Sequence, residues 1–504
     1  MKSYDERAKE ILSQRDEKVK ESAIRRRKAG RLAVIAAVLA LTIVGASVFA
    51  VIAYKAKEKP VDPTVTDTTA AADTAADTDK PADTTPKEYK DGVIGERDPS
   101  AEEPSGGIAL DGRGYYSDKA SGSKSGFSPA PTSPSEEAKI GYEYIEGYDG
   151  EVNAVDAAAG TLTAGEWKDA DNIADWLKLL SKDEWKGFVN SRKLDTANIV
   201  TVKVTDGENA CFNVPVKLLS GDEVIYTGKT DINGRVYLFG NITGNDKTAD
   251  AVSVGEQTVA LDGKTELVIN AADAGVNVTA LDLMLMIDTT GSMGDELEYI
   301  KAELYDVVER VAKAGESISI RVSVNFYRDE GDDYTVKFFD FREDINECIE
   351  QLKEQSAYGG GDYPEAVHTA LDNAVSGHDW REEAVKLCFI VLDAPPHSES
   401  EIQEVNVELL KTVKTAAEQG IRIIPVASSG VDGETEFLLR SWALMTGGTY
   451  IFITNDSGIG GGHKEAEVGE HTVEFLNECM IRVACEYCGI YAGEKVPYTP
   501  PYHQ

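Results

Sequence analysis

The chain has 504 residues and a formal net charge of −37 at pH 7. This length allows two or three domains with a sizeable hydrophobic core. The acidic balance argues against nucleic acid as a partner, because nucleic-acid binding requires a basic patch or stripe. Six cysteines are few for a chain of this length, so the sequence predicts no disulfide framework, and the pairing of the cysteines stays open.

The first predicted elements are a basic cytoplasmic tail and a transmembrane helix. Residues 1–31 are net positive, whereas residues 32–54 contain no charged side chain. A helix over 32–54 spans about 35 Å, enough to cross a hydrocarbon core of about 30 Å. Because positive flanking charge stays in the cytoplasm, the pattern predicts a single-pass membrane protein with an extracellular C-terminal bulk. A cleaved signal peptide is the alternative, but the apolar run is longer than a signal peptide requires, which favours a signal anchor.

Two segments precede the predicted globular domains. Residues 55–140 are rich in Pro, Thr, Ala and Asp and are predicted to form a disordered stalk, because they offer too little apolar surface to offset the entropy of ordering. Residues 141–197 contain three of the five tryptophans. Apolar residues between 173 and 180 recur at helical spacing, which predicts a short amphipathic helix in this tryptophan-containing segment.

Residues 198–275 contain short β-type runs separated by turn signals such as Asn233-Gly234. Several short strands at this spacing predict a small β-sandwich. The stretch TDINGRVYLF, residues 230–239, resembles carboxypeptidase regulatory-like and Ig-like modules of bacterial surface proteins. That resemblance implies a rigid spacer or an interaction module rather than an active site.

Residues 276–488 alternate strands and helices, which predicts a doubly wound, Rossmann-like α/β domain. The run LDLMLMI over 281–287 is apolar except for Asp282, as expected for a parallel strand buried on both faces. Strands at 319–327 and 335–341 are too closely joined for a crossover helix, so they predict a hairpin with an antiparallel edge strand. In the strand order 3-2-1-4-5-6, the first strand and the fourth strand, 385–392, flank the crevice where ligands bind.

Oxygen-bearing side chains follow the carboxyl ends of these two strands. Asp288, Thr290 and Ser292 alternate after the first strand, so an extended turn can direct all three the same way. Asp393 follows the fourth strand, and Asp362 lies in a glycine-rich loop before a helix. Carboxylates and hydroxyls suit a hard cation such as Mg²⁺, so three converging loops predict a divalent-cation site. The plainer alternative for the first loop is a helix cap and an Asx-turn.

Three segments carry a resemblance to a known family. DTTGSM, residues 288–293, resembles the DxSxS metal-site signature of the von Willebrand factor A (VWA) family. GGGDYPEAVHTAL (359–371) and IVLDAPPH (390–397) resemble the second and third metal-site loops of a subgroup of that family, of bacterial surface type. The resemblance spans roughly residues 281–487 and implies a metal-ion-dependent adhesion site (MIDAS).

The resemblance also implies roles for individual residues. Asp288, Thr290 and Ser292 ligate the ion, and Asp393 contributes directly or through water. Asp362 stands where many members of the family have Thr, which places a third carboxylate in the predicted metal set. Mg²⁺ is the predicted cation, with Mn²⁺ and Ca²⁺ as alternatives.

The predicted function is binding rather than catalysis, so the chain is not predicted to be an enzyme. The predicted partner is an extracellular protein or glycan, engaged through the cation in adhesion or complex assembly. One alternative is a surface sensor or scaffold without metal-dependent ligand binding. A metal-assisted hydrolase is a weaker alternative, because the sequence offers no evident general base or nucleophile beside the metal ligands. Residues 489–504 form a C-terminal tail.

Overall fold

The computed structural model describes residues 91–96, 157–244, 247–271, 277–314, 317–460 and 462–499. The strands of this described part are β1 (Gly92–Ile94), β2 (Thr163–Trp167), β3 (Ile199–Asp206), β4 (Asn209–Ala210), β5 (Pro215–Ser220), β6 (Glu223–Lys229), β7 (Arg235–Phe239), β8 (Ala251–Val254), β9 (Gln257–Ala260), β10 (Glu266–Asn270), β11 (Ala280–Asp288), β12 (Ser319–Tyr327), β13 (Val336–Phe338), β14 (Val385–Leu392), β15 (Ile421–Ala427), β16 (Tyr450–Ile453) and β17 (Val473–Phe475). The α-helices are α1 (Ile173–Leu180), α2 (Asp183–Arg192), α3 (Leu297–Ala314), α4 (Ile345–Lys353), α5 (Val367–Ser376), α6 (Val405–Gln419), α7 (Gly433–Thr446) and α8 (Leu476–Tyr487).

A nine-stranded sheet with the order β1-β13-β12-β11-β14-β15-β16-β2-β17 forms the centre of the α/β domain. Strands β12, β11, β14, β15 and β16 are parallel, and the remaining four are antiparallel to their neighbours. The run from β13 to β16 follows the predicted order 3-2-1-4-5-6. The prediction of a doubly wound α/β domain is therefore confirmed.

Strand β11 is buried on both faces, because helices cover both sides of the sheet. Leu283 and Leu285 belong to one apolar cluster with residues of α3, α4 and α8. Met284 and Met286 point the other way, into a cluster with residues of α5, α6 and α7. Alternate side chains of a strand point to opposite faces, so an apolar residue is needed at each of these positions.

The predicted hairpin is confirmed, since β12 and β13 pair antiparallel. Its predicted edge position is wrong, because β1 pairs antiparallel with β13 on the outer side. The opposite side of the sheet is also extended: β2 pairs antiparallel with β16, and β17 pairs antiparallel with β2. These three short strands carry too few residues to show a period of two in the sequence, and the sequence pattern did not predict them.

The tryptophan-containing segment packs onto the α/β domain. Trp176 and Trp185 are fully buried. Their ring centroids lie 6.5 Å and 5.8 Å from the ring of Phe437 in α7. Rings at these separations interact favourably beyond the area that they bury, so these two tryptophans hold α1 and α2 against α7.

Strands β3 to β10 form two four-stranded sheets. In one, β3 pairs with β10, β4 and β7, and the other has the order β6-β5-β8-β9. Strand β6 packs against α6, and the Tyr226 hydroxyl donates a 2.8 Å hydrogen bond to the carbonyl of Met445. Buried residues of both sheets belong to the same apolar cluster as α6 and α7. The assignment of residues 198–275 to a carboxypeptidase regulatory-like or Ig-like module stays a prediction.

The predicted transmembrane helix, residues 32–54, lies outside the described residues, as do the basic tail 1–31 and the stalk 55–140 apart from residues 91–96. Within the part of the chain that the structure describes, no helix is both long and apolar enough to cross a membrane. The longest, α3, has 18 residues and carries charged side chains along its length. The fold of the described residues thus contains no membrane-spanning helix, which corrects the fold prediction, and the predicted single-pass localisation with an extracellular bulk is withdrawn with it.

Candidate functional site

Two aspartates lie side by side at the carboxyl ends of β11 and β14. Asp288 is the last residue of β11, and Asp393 directly follows β14. The two strands are parallel neighbours, with Ile287 opposite Val391. Both aspartates are buried, at 0% and 4% exposure. The strand order therefore places two acidic side chains in the crevice where open α/β sheets bind ligands.

The first loop gathers one carboxylate and two hydroxyls. Asp288 Oδ1 accepts hydrogen bonds from the Thr290 amide at 2.8 Å and from the Thr290 hydroxyl at 2.6 Å. The Thr290 and Ser292 hydroxyls lie 3.1 Å apart. The amide contact is the Asx-type bond of the plainer alternative, but it uses only one carboxylate oxygen. Asp288 Oδ2 is buried and has no hydrogen-bond partner among the described residues.

Backbone hydrogen bonds join the three predicted loops. The amide of Gly291, in the first loop, donates to the carbonyl of Gly359 in the second at 3.1 Å. The amide of Glu365, at the end of the second loop, donates to the carbonyl of Pro395 in the third at 3.0 Å. Because backbone groups make these two contacts, substitution of a metal-site side chain does not remove them.

The loops enclose a cleft of about 520 Å³ whose lining includes Ser292, Asp362 and Asp393. Asp288 and Thr290 are fully buried beside it. Asp362 is exposed at the rim. The structure thus brings Asp288, Thr290, Ser292 and Asp393 together, and it places Asp362 on the same cleft but nearer to solvent.

Glu365 is the acidic residue that sequence reasoning missed. Its side chain is only 3% exposed, and its Oε2 has no hydrogen-bond partner among the described residues. Burial, followed by the charges of Asp288, Asp329 and Asp393, raises the pKa of Glu365 to about 10. A glutamate after Tyr-Pro in a glycine-rich loop is a weak signal, because its burial depends on strands far away in the sequence.

The two aspartates share this electrostatic situation. Burial raises the pKa of Asp288 to about 6, although hydrogen bonds from Thr290 lower it. Burial and then the charge of Asp288 raise the pKa of Asp393 to about 7, against the lowering effect of the Ser292 hydroxyl. Both shifts have the same causes. Burial removes the carboxylate from water, and neighbouring carboxylates repel it while no positive side chain compensates.

The donor set fits a hard divalent cation. Asp288 Oδ2, Glu365 Oε2 and Asp393 Oδ1 are buried carboxylate oxygens that lack hydrogen-bond partners among the described residues. Burying such an oxygen costs free energy unless a hydrogen-bond donor or a positive charge contacts it, and a hard cation prefers oxygen ligands. No three His, Cys, Asp or Glu side chains in the described ranges are grouped closely enough to hold an ion by themselves. An ion in this cleft would therefore depend on the Thr290 and Ser292 hydroxyls and on water as well.

An acidic loop between β12 and β13, residues 328–335, borders the second loop. Asp332 Oδ2 accepts a 2.9 Å hydrogen bond from the amide of Gly360. Asp329 Oδ1 lies 2.7 Å from His397 Nε2, and this hydrogen bond raises the pKa of His397. The loop therefore contacts both the second and the third loop of the cleft.

Comparisons with known proteins give three similarities besides a domain match. An ariadne-like RING finger protein of Acanthamoeba polyphaga mimivirus is 25% identical over 193 residues, which cover 35% of this chain and 18% of that protein. The alpha-protein kinase vwkA of Dictyostelium discoideum is 27% identical over 118 residues, which cover 23% of this chain and 19% of the kinase. The chain thus spans less than a fifth of the length of these curated relatives. The solved structure of the conserved hypothetical protein BatB from Bacteroides thetaiotaomicron is similar at 14% identity and a TM-score of 0.23, covering 42% of this chain and 88% of BatB.

The domain match covers the strands and loops that build the cleft. Residues 282–459 match the family description "von Willebrand factor type A domain". This range runs from β11 to just beyond β16 and includes all five predicted metal-site residues. The chain therefore contains a von Willebrand factor type A domain over residues 282–459.

Proposed function

We propose that the VWA domain binds a divalent cation, Mg²⁺ foremost, in the cleft at the carboxyl ends of β11 and β14. Asp288, Thr290 and Ser292 supply oxygen ligands, and Asp393 contributes directly or through water. The observation that carries this proposal is the set of buried carboxylate oxygens without partners beside two hydroxyls. A donor set made only of oxygen favours Mg²⁺, with Mn²⁺ and Ca²⁺ as alternatives.

The second loop contributes two carboxylates with different proposed roles. The carboxylate of Glu365 is buried and is repelled by the charges of Asp288 and Asp393. A cation in the cleft would offset this repulsion, so we place Glu365 among the residues nearest to the cation. Asp362 lies at the exposed rim of the same cleft, where it reaches the cation through water. Because both side chains are acidic, they lower the net charge of the site and favour retention of the cation without a ligand.

We further propose that the cation completes its coordination with a carboxylate of a protein partner. VWA domains mediate protein–protein interaction in general. Tyr358 and Tyr363, which flank the glycine-rich loop, are 67% and 43% exposed. Exposed tyrosines beside a cleft suit a protein interface, since aromatic residues are enriched there. The proposed role is binding rather than catalysis.

Calorimetric titration of Mg²⁺ into the chelator-treated full chain tests this proposal. The wild type and the control variant Asp222→Ala, which changes an exposed acid in a distant turn, should bind one equivalent of cation. Asp288→Ala and Asp393→Ala should abolish that binding while the circular dichroism spectrum stays unchanged. Equal binding in all four proteins would place the cation elsewhere and overturn the proposal.

A further inference from the structure

Strand β1 is a three-residue element that pairs with β13 at one edge of the sheet. Gly92 lies opposite Phe338, and Ile94 lies opposite Val336. The side chains of Val93 and Ile94 remain 45% and 37% exposed. Neither side chain is therefore part of the hydrophobic core, and the position of β1 depends on its backbone pairing with β13 and on the contacts at its two ends.

Two glycines, Gly92 in β1 and Gly95 just after it, allow this segment to lie close to the side chains of Phe338 and Thr335. A Cβ added at Gly92 would lie 2.6 Å from a ring carbon of Phe338. Gly95 has a φ of +69°, and a Cβ there would overlap the Thr335 hydroxyl. Either substitution would force β1 away from its partner strand. The sequence Gly-Val-Ile-Gly is thus matched to this edge.

Asp91 anchors the start of β1. Its carboxylate forms an ion pair with Arg342 and accepts a 3.2 Å hydrogen bond from the amide of Asp340. Both partners follow β13 in the chain. The segment 91–96 therefore contacts residues on both sides of β13 as well as the strand itself.

The other end of β1 reaches the acidic loop 328–335. The amide of Thr335 donates a 2.9 Å hydrogen bond to the carbonyl of Ile94. The carbonyl of Thr335 in turn accepts a 3.0 Å hydrogen bond from the amide of Arg328, at the opposite end of the loop. The base of the loop is therefore held by β1 on one side and by its own closing hydrogen bond on the other.

The same loop contacts two loops of the metal cleft. The Tyr334 hydroxyl lies 2.9 Å from the Thr289 hydroxyl, next to Asp288. Asp332 accepts the hydrogen bond from Gly360 in the second loop. Hydrogen bonds at both ends of loop 328–335, joined by the chain of the loop itself, thus connect β1 to residues that flank the proposed metal site.

We propose that residues 91–96 dock against β13 as an added edge strand, and that this docking holds loop 328–335 against the metal cleft. Strand docking and cation binding then favour each other. This inference rests on the proposed function, because it assumes a cation in the cleft. Coupling between two binding events is reciprocal, so each event must stabilise the other by the same factor.

The test uses the full chain with the double substitution Gly92→Val and Gly95→Val, which changes no residue of the cleft. Val93→Thr is the matched control, because it keeps a β-branched residue at an exposed position of the strand. Hydrogen–deuterium exchange in peptides covering 328–336 reports docking, and calorimetry reports Mg²⁺ affinity. The double variant should exchange faster at the Thr335 amide and bind Mg²⁺ about 5-fold more weakly or worse. A synthetic peptide of residues 88–97 should restore both properties.

The outcomes separate this inference from the proposed function. Unchanged exchange in the double variant would mean that β1 is not docked, and it would overturn the inference. Faster exchange with an unchanged Mg²⁺ affinity would overturn the coupling and leave the metal site intact. A wild type that binds no Mg²⁺ would overturn the proposed function and with it the coupling, whereas exchange at Thr335 would still show whether the strand is docked.

Discussion

The stability of the cation-free Asp393→Asn protein relative to the wild type should rise with pH, because the variant has no charge to bury at this position. Burial and the neighbouring Asp288 raise the pKa of Asp393 from its ordinary 3.8 to about 7. Asp393→Asn keeps the size of the side chain and removes the ionisation. The free energy that protonated Asp393 contributes to folding is present below its unfolded pKa and is lost as the pH rises through about 7.

The size of this effect follows from the shift in pKa. At about 1.4 kcal/mol per pH unit, the cation-free wild type loses roughly 3 kcal/mol between pH 5 and pH 8 through this group. The variant avoids that loss. Its amide leaves one buried polar atom poorly paired, at a cost of about 1–3 kcal/mol, but this cost is the same at both pH values. The free energy of unfolding of the variant relative to the wild type should therefore rise by about 2–3 kcal/mol from pH 5 to pH 8. The lower end of this range allows for Asp288, which shares part of the repulsion.

Urea denaturation with a chelator at pH 5 and pH 8 measures this difference. Saturating Mg²⁺ at pH 8 should shift the difference in favour of the wild type, because only the wild type gains stability from the cation. A difference between wild type and variant that is the same at both pH values would refute the electrostatic reasoning. So would a variant that gains as much from Mg²⁺ as the wild type.

Three further predictions follow from the same contacts. Glu365→Gln should weaken Mg²⁺ binding by about 10-fold or more in calorimetry. The same substitution should raise the melting temperature of the cation-free protein at pH 8. An unchanged Mg²⁺ affinity would show that Glu365 is not part of the site. Mg²⁺ affinity of the wild type should rise from pH 6 to pH 8, because Asp288 and Asp393 must lose their protons to bind the ion; a flat profile would contradict this. Trp185→Ala should lower the free energy of unfolding by about 3–5 kcal/mol in urea and leave Mg²⁺ affinity unchanged, and a loss below about 1 kcal/mol would contradict its place in the core.

Much of the α/β domain could be predicted because its signals are local. The run 281–287, apolar except for Asp282, identifies a strand buried on both faces, and the alternation of strands and helices implies parallel pairing. Parallel pairing then places the residues that follow neighbouring strands at one edge of the sheet. The sequence therefore predicts that Asp288 and Asp393 lie close together, and the structure places them side by side.

The remaining features depend on contacts that no local pattern contains. Strand β1 has three residues, and only its fit to Phe338 and Thr335 makes it a strand. Strand β17 also has only three residues, and it runs directly into the helix that starts at Leu476. Glu365 is buried because its own loop and the loop after β14 close over it. The withdrawn membrane-spanning prediction rested on a hydropathy pattern alone, and no helix in the described residues matches it.

The location of the divalent cation that we propose for the cleft between β11 and β14 can be measured directly. Crystals of the protein grown with Mn²⁺ should show an anomalous scattering peak within about 2.5 Å of oxygens from Asp288 and Ser292, bordered by Asp393 and Glu365. The Asp288→Ala protein, crystallised in the same way, should lack that peak. An empty cleft in crystals that hold Mn²⁺ elsewhere, or a peak that persists in the variant, would show that these residues do not form the cation site.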